Sequence, residues 1–245
     1  QFYLSPGRES QVVQFFKFIH FRFKRYVNLG CFWAEHLRLI CEGEISTTIR
    51  ERLKSRGYKP GMKLVSIFDS TFSDDCFTTY KDAIEFLQGT YSLMQDMPDT
   101  FFVLKEKNLR GYHEVMSVHH KEINALYKKF DDHPRCYVAG KNGNPSEIMA
   151  FSDLTISFPF TSTTFEAISV RKKGIWYDAS GKFRNTYYDD VPGLVCHNYK
   201  ELFVRSKELL FETSEDSYNE YLDTHVKGKV ESYLDGRAIT RFRNL

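Results

Sequence analysis

Residues 154–166 read LTISFPFTSTTFE, and this stretch decides the fold. A short apolar strand, Leu154 to Ser157, runs into a Phe-Pro-Phe turn, and four consecutive hydroxyl residues, Thr161 to Thr164, then open a helix. A strand that returns parallel to its neighbour needs a connection of a dozen or more residues, usually a helix. The stretch therefore predicts an α/β unit in a parallel sheet.

The same alternation of strand and helix extends to both sides of this stretch. The sequence predicts strands at 64–68, 101–104, 136–139, 154–157, 175–177 and 194–196, and helices over 78–95 and 113–130, from 144, from 162 and over 199–211. The strands are apolar without strict alternation, as expected when helices cover both faces of a sheet. We therefore predict a doubly wound, Rossmann-like parallel sheet.

Composition excludes several classes of protein. The chain has 245 residues, 42% of them hydrophobic, and a net charge of +2, so no overall field attracts nucleic acid. No apolar run reaches the roughly 20 residues of a spanning helix. The five cysteines are scattered and odd in number, which favours reduced thiols and a cytoplasmic location. Because the chain begins with Gln and shows no signal peptide, we expect a piece of a longer protein.

Charge divides the chain into unequal parts. Residues 1–60 carry eleven Lys or Arg against five Glu, a net charge of +6, whereas the rest carries 23 basic and 27 acidic residues. The break falls at the turn-forming stretch Gly57–Gly61. We predict a helical N-terminal segment over 1–60, a Rossmann-like ligand-binding domain over 61–213 and a helical tail over 214–245.

The N-terminal segment contains a basic and aromatic stretch, Gln11 to Tyr26, that fits a helix ending near Gly30. Such a helix could lie on the anionic inner face of a membrane or on a partner, which would make the protein peripheral. It could equally pack on the domain with its basic residues in water. A second helical stretch, Trp33 to Ser55, is predicted to break around Gly43.

Polar residues follow the first two predicted strands, at the sheet edge where ligands of such folds bind. The loop Asp69-Ser70-Thr71 to Asp75 could hold a phosphate through hydroxyls and amides, or simply cap the next helix. At the second strand, Lys105 could neutralise a diphosphate and Glu106 could orient it or accept a proton, with Lys107 a weaker candidate. The alternative is that charged residues leave the core where a strand ends.

Two further loops follow the third and fourth strands. Gly140 to Pro145 allows a close backbone approach, against which a nucleobase could lie, but a plain turn is equally compatible. The hydroxyl cluster at Thr161 places free amides and a helix dipole at a strand end, which makes an anion site, and Glu166 follows within hydrogen-bonding reach of a ribose. Capping explains part of this pattern, but it does not require four consecutive hydroxyls.

Several motifs are absent from the sequence. It contains no GxGxxG, GxxxxGK[ST] or GxSxG pattern, which argues against the usual dinucleotide fold, a P-loop and an α/β-hydrolase. The eight histidines show no HExxH spacing. We therefore expect no metal site.

Three stretches, Pro145–Ser157, Phe160–Ile168 and Gly174–Tyr177, resemble the donor-binding half of GT-B glycosyltransferases. The resemblance is strongest to bacterial surface-polysaccharide transferases, including relatives of Kdo-type and polyol-phosphate transferases, and it covers about residues 62–212. It implies transfer of a sugar from a nucleotide-sugar to a glycan or lipid-linked acceptor, without metal or other cofactor. A nucleotide-sugar epimerase of the same architecture and a non-catalytic domain in a polysaccharide-assembly protein remain alternatives.

The resemblance also implies roles for individual residues. By position, it implies donor binding by Asp69, Ser70, Thr71, Ser162, Thr163, Thr164 and Glu166, and catalytic roles at the leaving phosphate for Lys105 and Glu106. Gly140 is added to the donor-binding candidates from its loop alone. One feature departs from the family: GT-B enzymes have two Rossmann-like domains, and residues 1–60 are too few for the first. The general base and acceptor site are therefore not located, and the tail after Phe211 is expected to cross back toward the other domain.

Overall fold

The computed structural model describes residues 2–5, 25–73, 78–111 and 118–245. Its main element is a six-stranded parallel sheet with the order β5-β4-β3-β6-β7-β8. The strands are β3 (Lys63–Phe68), β4 (Thr100–Lys105), β5 (Cys136–Val138), β6 (Leu154–Ser157), β7 (Gly174–Tyr177) and β8 (Val195–Cys196). All six lie within one or two residues of the predicted positions, and the predicted doubly wound sheet is confirmed.

Helices connect and cover these strands. Helices α1 (Ala34–Cys41) and α2 (Ile49–Ser55) precede β3 in the chain. Consecutive strands from β3 to β7 are connected by α3 (Tyr80–Asp96), α4 (His120–Asp131), α5 (Pro145–Phe151) and α6 (Ser162–Ser169), and α7 (Tyr199–Lys207) follows β8. A π-helical stretch (Glu208–Glu212), α8 (Glu215–Tyr221), a second π-helical stretch (Leu222–Val226) and α9 (Ala238–Arg243) form the C-terminal part. The break between α1 and α2 falls around Gly43, as predicted. The N-terminal half of the helix predicted over 113–130 includes residues outside the described ones.

The two faces of the sheet explain why its strands show no alternation in the sequence. In β3, Val65 and Ile67 pack in a core that includes α3 and α4, whereas Leu64 and Phe68 pack in a second core with α1, α2 and α5. Both faces are covered, so residues pointing either way are apolar. Because α1 and α2 share this second core, they pack directly on the domain, and the division into 1–60, 61–213 and 214–245 stays a prediction.

The N-terminal segment contains strands that the sequence did not predict. Strand β1 (Phe2–Ser5) pairs in parallel with β2 (Arg25–Asn28), with Phe2 opposite Arg25. The predicted helix over 11–26 is therefore wrong at Arg25 and Tyr26. The rest of that stretch lies outside the described residues, and with it most of the predicted membrane contact.

The C-terminal tail returns to the segment that follows β2. Arg241 Nη1 donates to the Leu29 carbonyl (3.1 Å), and the Cys31 amide donates to the buried Glu231 carboxylate (3.0 Å). The carboxylate also accepts from the Ser169 hydroxyl at the end of α6 (3.1 Å). The tail therefore connects the end of α6 to the chain that leads from the N-terminal strands.

Two further features concern the hydropathy of the helices and the state of the cysteines. Across the described ranges, no helix combines the length and the hydropathy needed to cross a bilayer. The four described cysteines, Cys31, Cys41, Cys136 and Cys196, are free thiols, and Cys76 lies outside the described residues.

Candidate functional site

The site is built where the strand order reverses, between β3 and β6. These two strands pair in parallel, with Phe68 opposite Ser157, so the residues that follow them lie side by side. The connection after β3 leads to one side of the sheet and the connection after β6 to the other. In open α/β sheets such a reversal leaves a crevice beyond the carboxyl ends of the strands.

Helix α6 begins at this crevice with an uncapped first turn. Thr161 occupies the N-cap position in an extended conformation, but its side chain makes no hydrogen bond to the helix amides. Its hydroxyl donates instead to the Phe158 carbonyl (2.8 Å). The first-turn amides of a helix need a partner from outside the helix, and the N-cap side chain does not supply it here.

The turn before α6 is held in a strained conformation by aromatic rings. Phe160 has φ 63°, which costs a residue other than glycine about 1–3 kcal/mol. Its ring stacks on Tyr188 (centroids 5.1 Å apart, planes at 21°), and Trp176 packs against both rings, 4.7 Å from Tyr188 and 6.1 Å from Phe160. The indole of Trp176 also donates to the Thr161 carbonyl (3.2 Å). These contacts fix the direction in which the start of α6 points.

The four hydroxyls of residues 161–164 do not all face the crevice. The Thr164 hydroxyl lies 2.6 Å from that of Ser157 and donates to the Ile175 carbonyl (2.8 Å), and the residue is fully buried. Its side chain therefore joins α6 to the sheet, which fits the structural alternative better than donor binding. Ser162 is exposed and Thr163 is half-buried, so these two remain available to a ligand.

Glu166 lies one turn into α6 and is 7% exposed. Burial raises the pKa of its carboxyl, while a hydrogen bond from Ser162 and the positive charge of Lys107 act in the opposite direction. The structure thus brings Ser162 and Lys107 close to Glu166. A largely buried carboxylate beside an uncapped helix N-terminus suits a ligand that carries both hydroxyls and an anionic group.

Asp69 follows β3 and is buried below this site. Its Oδ1 accepts from the Lys107 amide (2.6 Å) and its Oδ2 from the Tyr127 hydroxyl (2.5 Å). Burial raises the pKa of Asp69 to about 7, although both hydrogen bonds oppose this rise. Asp69 therefore holds the backbone of Lys107. Ser70 is half-buried and Thr71 is exposed next to it.

Lys105 and Glu106, the predicted catalytic pair, are both buried and engaged within the protein. Lys105 Nζ donates to the carbonyls of Glu106 (2.6 Å) and Lys141 (3.0 Å), and burial lowers the pKa of its amine. Glu106 accepts from Arg110 through Nε (2.9 Å) and Nη2 (2.7 Å). Both residues therefore tie loops together, and any catalytic role for them stays a prediction.

Lys107, which the sequence analysis ranked below Lys105, is an exposed cation at this edge. Its positive charge acts to lower the pKa of Glu166. All six residues of β4 are buried, so the sequence offers no alternation from which to tell the inward Lys105 from the outward Lys107. The signal that remained was distance from the strand: the second residue beyond a strand end is freer to reach solvent.

The loop after β5 is a turn with one open face. Gly140 has φ +57°, and a side chain built there would meet no atom within 4 Å. At Gly143 a side chain would meet the Ala139 carbonyl at 2.9 Å, so this position requires glycine. Asn144 caps α5 by accepting from the Ser146 amide (3.0 Å). The loop fits the predicted turn and leaves the Gly140 backbone accessible.

A histidine that the sequence did not single out holds the loop after β7. His197 follows β8, with Nδ1 2.8 Å from Asp178 and Nε2 2.5 Å from Asp189. Asp178 also accepts from the Phe183 amide (3.0 Å). This network secures the segment that carries Tyr188 against Phe160. Its sequence signal, a histidine and an aspartate each following a strand, is too common to be specific.

A groove of about 720 Å³ lies at the opposite edge of the sheet, where Lys63 begins β3 and Asp153 and Lys173 precede β6 and β7. Lys173 Nζ donates there to the carbonyls of Leu209 (2.5 Å) and Thr213 (2.6 Å). Its amine is therefore engaged, and we place the site at the carboxyl edge. Among the described residues, no group of three or more His, Cys, Asp or Glu side chains is arranged to hold a metal ion.

A parallel sheet that reverses its order at an uncapped, hydroxyl-rich helix start defines the class: a Rossmann-like domain of the GT-B type. A family model for polysaccharide biosynthesis PFTS motif proteins matches residues 8–204. The chain belongs to this family. Among curated protein sequences, none matches it.

Solved structures show the same fold at low sequence identity. A UDP-GlcNAc 2-epimerase from Neisseria meningitidis bound to UDP-GlcNAc matches with a TM-score of 0.64 and 15% identity, over 100% of this chain and 60% of that one. The wall teichoic acid polymerase TagF matches with 0.62 and 15%, over 98% and 56%. A UDP-forming trehalose-phosphate synthase from Burkholderia xenovorans matches with 0.56 and 12%, over 99% and 60%. The chain thus spans less than two thirds of each.

Proposed function

We propose that this domain binds the diphosphate of a nucleotide-sugar at the start of α6 and acts in transfer of the sugar to a surface-polysaccharide acceptor. The observation that carries the proposal is the uncapped first turn of α6, with Glu166 on its inner side and Lys107 across the crevice. A helix N-terminus and a cation together suit a diphosphate. Membership of a polysaccharide-biosynthesis family and the GT-B fold support the same reaction class.

Each group has a part in the proposed complex. The amides of Ser162 and Thr163 and their hydroxyls bind the phosphates, and Lys107 adds a positive charge. Glu166 accepts hydrogen bonds from the ribose hydroxyls, and the open backbone at Gly140 lies against the base. Lys105 and Glu106 support this arrangement because the Lys105 amine, through the carbonyls of Glu106 and Lys141, joins the loops after β4 and β5.

The chemistry follows from where charge develops. When the bond between the sugar and the nucleoside diphosphate breaks, the sugar becomes oxocarbenium-like and negative charge grows on the leaving phosphate. Fixed amide dipoles and Lys107 stabilise that charge more than they stabilise the ground state, which lowers the barrier. In this proposal those groups serve where other transferases employ a metal ion.

The acceptor and the general base belong to the rest of a two-domain enzyme. The chain spans 56–60% of the GT-B structures it matches, so a second domain is part of the proposal. Closure of that domain over the start of α6 would exclude water and favour transfer over hydrolysis.

Calorimetry with UDP, CDP, CMP and their sugar conjugates tests donor binding. We expect one nucleotide series to bind, with the diphosphate contributing most of the affinity. Failure of every nucleotide to bind would overturn the proposal and favour a non-catalytic domain that packs beside an active transferase.

An epimerase reaction is the second candidate, because a UDP-GlcNAc 2-epimerase shares the fold. Incubation of the protein with its preferred nucleotide-sugar, without acceptor, separates the two activities. A new sugar isomer would show epimerisation, whereas transfer requires an acceptor and leaves the sugar unchanged until one is added.

A further inference from the structure

Asp69 is a buried carboxyl to which none of the described cationic side chains is hydrogen-bonded. Its two hydrogen bonds come from neutral donors, the Lys107 amide at 2.6 Å and the Tyr127 hydroxyl at 2.5 Å. The residue is 6% exposed. A buried carboxylate without a counter-ion is costly in free energy unless it becomes neutral.

Among the described residues, the charged groups around Asp69 bond to other partners or carry the same sign. The positive charge of Lys105, on β4, favours the ionised carboxyl, but its amine donates to two carbonyls and not to Asp69. Arg110 lies over the ring of Tyr127, a residue of α4, with its guanidinium carbon 5.4 Å from the ring centroid. Its guanidinium bonds to Glu106 (2.7 Å) and Asp131 (2.5 Å). Glu106, which follows β4, adds a negative charge that raises the pKa of Asp69. The positive charge of Lys107 acts on Glu166, where it lowers the pKa.

Asp69 also ends the strand at the reversal of the sheet. Phe68 is opposite Ser157, so Asp69 lies beside the turn that leads into α6, and it fixes the backbone of Lys107. A diphosphate bound at α6 would therefore bring further negative charge close to this carboxyl.

We propose that Asp69 takes up a proton from solvent when the donor diphosphate binds. This inference rests on the proposed function. The neutral acid keeps both contacts: one oxygen still accepts from the Lys107 amide, and the new O–H donates to the Tyr127 oxygen, which exchanges its donor role for an acceptor role. The site thus loses a negative charge without moving Lys107.

The direction of the pH dependence follows from linkage. Burial places the pKa of Asp69 near 7 in the free protein, and a bound diphosphate raises it further because like charges disfavour ionisation. Below this range Asp69 is neutral in both states and affinity is constant. As pH rises through 7, binding must take up a proton and weakens, until affinity levels off above the pKa of the complex. A rise of one unit corresponds to an affinity loss of about tenfold.

The test is calorimetry of the preferred nucleotide-sugar between pH 5.5 and 9, values chosen to bracket the pKa of about 7. A nucleotide-sugar serves better than a free nucleoside diphosphate because it lacks the terminal phosphate that titrates near pH 6. Titrations in Tris and in HEPES, which differ in ionisation enthalpy, report proton uptake directly. We expect uptake above neutral pH and an affinity loss of about tenfold across the range.

Three variants separate this role from a structural one. Asp69→Asn keeps an acceptor for Lys107 and a donor for Tyr127, and it should abolish the pH dependence. Tyr127→Phe removes a hydrogen bond that favours the ionised carboxyl, and it should move the affinity loss to higher pH. Asp131→Asn, on the outer side of the same network, should leave the pH dependence unchanged.

The possible failures are distinguishable. If no nucleotide-sugar binds, the proposed function itself fails. If one binds with the same affinity across the range and without proton uptake, or if Asp69→Asn retains the slope, only the proton coupling is overturned. Should Asp69→Asn not fold, proton uptake by the unmodified protein and the Tyr127→Phe shift still decide the question.

Discussion

Two helices at the same edge of the sheet, α3 and α6, have a threonine at the N-cap position, and their first turns differ. At α3, the Thr79 hydroxyl accepts from the Asp82 amide (3.3 Å), and Asp82 accepts from the Thr79 amide (2.8 Å). This capping box satisfies the helix start from within the chain. At α6, Thr161 makes no such bond. We call the capped start of α3 closed and the uncapped start of α6 open.

The difference comes from both the N-cap threonine and the third helical residue, because the Thr161 hydroxyl donates to the Phe158 carbonyl instead of accepting from the helix. In α3 that residue is Asp82, whose carboxylate reaches back to the cap and is also held by Lys182 (3.1 Å). In α6 it is Thr164, whose hydroxyl turns inward to Ser157 and Ile175. The open start of α6 is therefore a consequence of Thr161 and Thr164 both directing their hydroxyls away from the helix amides, which leaves first-turn amides for a ligand.

The largest expected effect is the loss of donor affinity in Glu166→Ala. Hydrogen bonds to a charged group contribute about 1.5–3 kcal/mol, so we expect the dissociation constant to rise by about 10- to 100-fold in calorimetry. Glu201→Ala is the control, because Glu201 is a first-turn glutamate of another helix at this edge. It should lower the melting temperature without changing affinity. An unchanged affinity in Glu166→Ala, with lower stability, would assign Glu166 to capping alone.

A new negative charge should act oppositely on affinity and stability at α6. Thr163→Glu places a carboxylate in the first turn, where the helix dipole favours it by about 0.3–1 kcal/mol. The same carboxylate repels a diphosphate, so affinity should fall by about tenfold while the melting temperature holds or rises.

The matched control for Thr163→Glu is Lys81→Glu, at the same second position of α3. The closed helix start should gain or keep stability with donor affinity unaltered. Equal losses of affinity in both variants would show that the effect is one of overall charge and not of the open helix start.

Removal of the cation across the crevice should have a smaller effect. Lys107→Ala is expected to weaken nucleotide binding by about three- to tenfold, because an exposed charge is screened by water and salt. Lys107→Arg should restore most of the affinity. Raising the salt concentration should weaken binding to the unmodified protein more than to Lys107→Ala, and an equal salt response would exclude a direct contact.

The smallest effect concerns the closed helix start alone. Thr79→Ala should cost about 1 kcal/mol of stability by denaturant unfolding, with donor affinity unchanged. Hydrogen bonds from Thr79 and Lys182 lower the pKa of Asp82. The stability this gives is present above the ordinary pKa of about 4 and is lost as pH falls through the lowered value. The destabilisation by Thr79→Ala should therefore shrink in acid; a constant difference would contradict this account.

The sequence was sufficient for the sheet but not for the direction of every side chain. Buried parallel strands such as β4 are apolar runs bounded by polar residues, so their positions were predictable. The same uniform burial hides which side of the sheet a terminal residue faces, and Lys105 was therefore ranked above Lys107. Thr164 was assigned to the ligand because a hydroxyl at a helix start serves a cap, a ligand or the core equally well.

Local pattern also could not reveal contacts between distant parts of the chain. The pairing of β1 with β2 and the bonds of Glu231 to Cys31 and Ser169 depend on residues far apart in sequence. The stretch before β2 carries an aromatic and basic composition that fits a helix as well as a strand, so the sequence predicted a helix through Arg25 and Tyr26.

Amide chemical-shift mapping with the preferred nucleotide-sugar tests the central claim most directly. If the open start of α6 binds the diphosphate, the amide resonances of Ser162 and Thr163 should move furthest on titration, while those of Tyr80 and Lys81 in α3 stay in place. Shifts at α3 equal to those at α6, or saturation of the protein with no shift at Ser162 and Thr163, would contradict it.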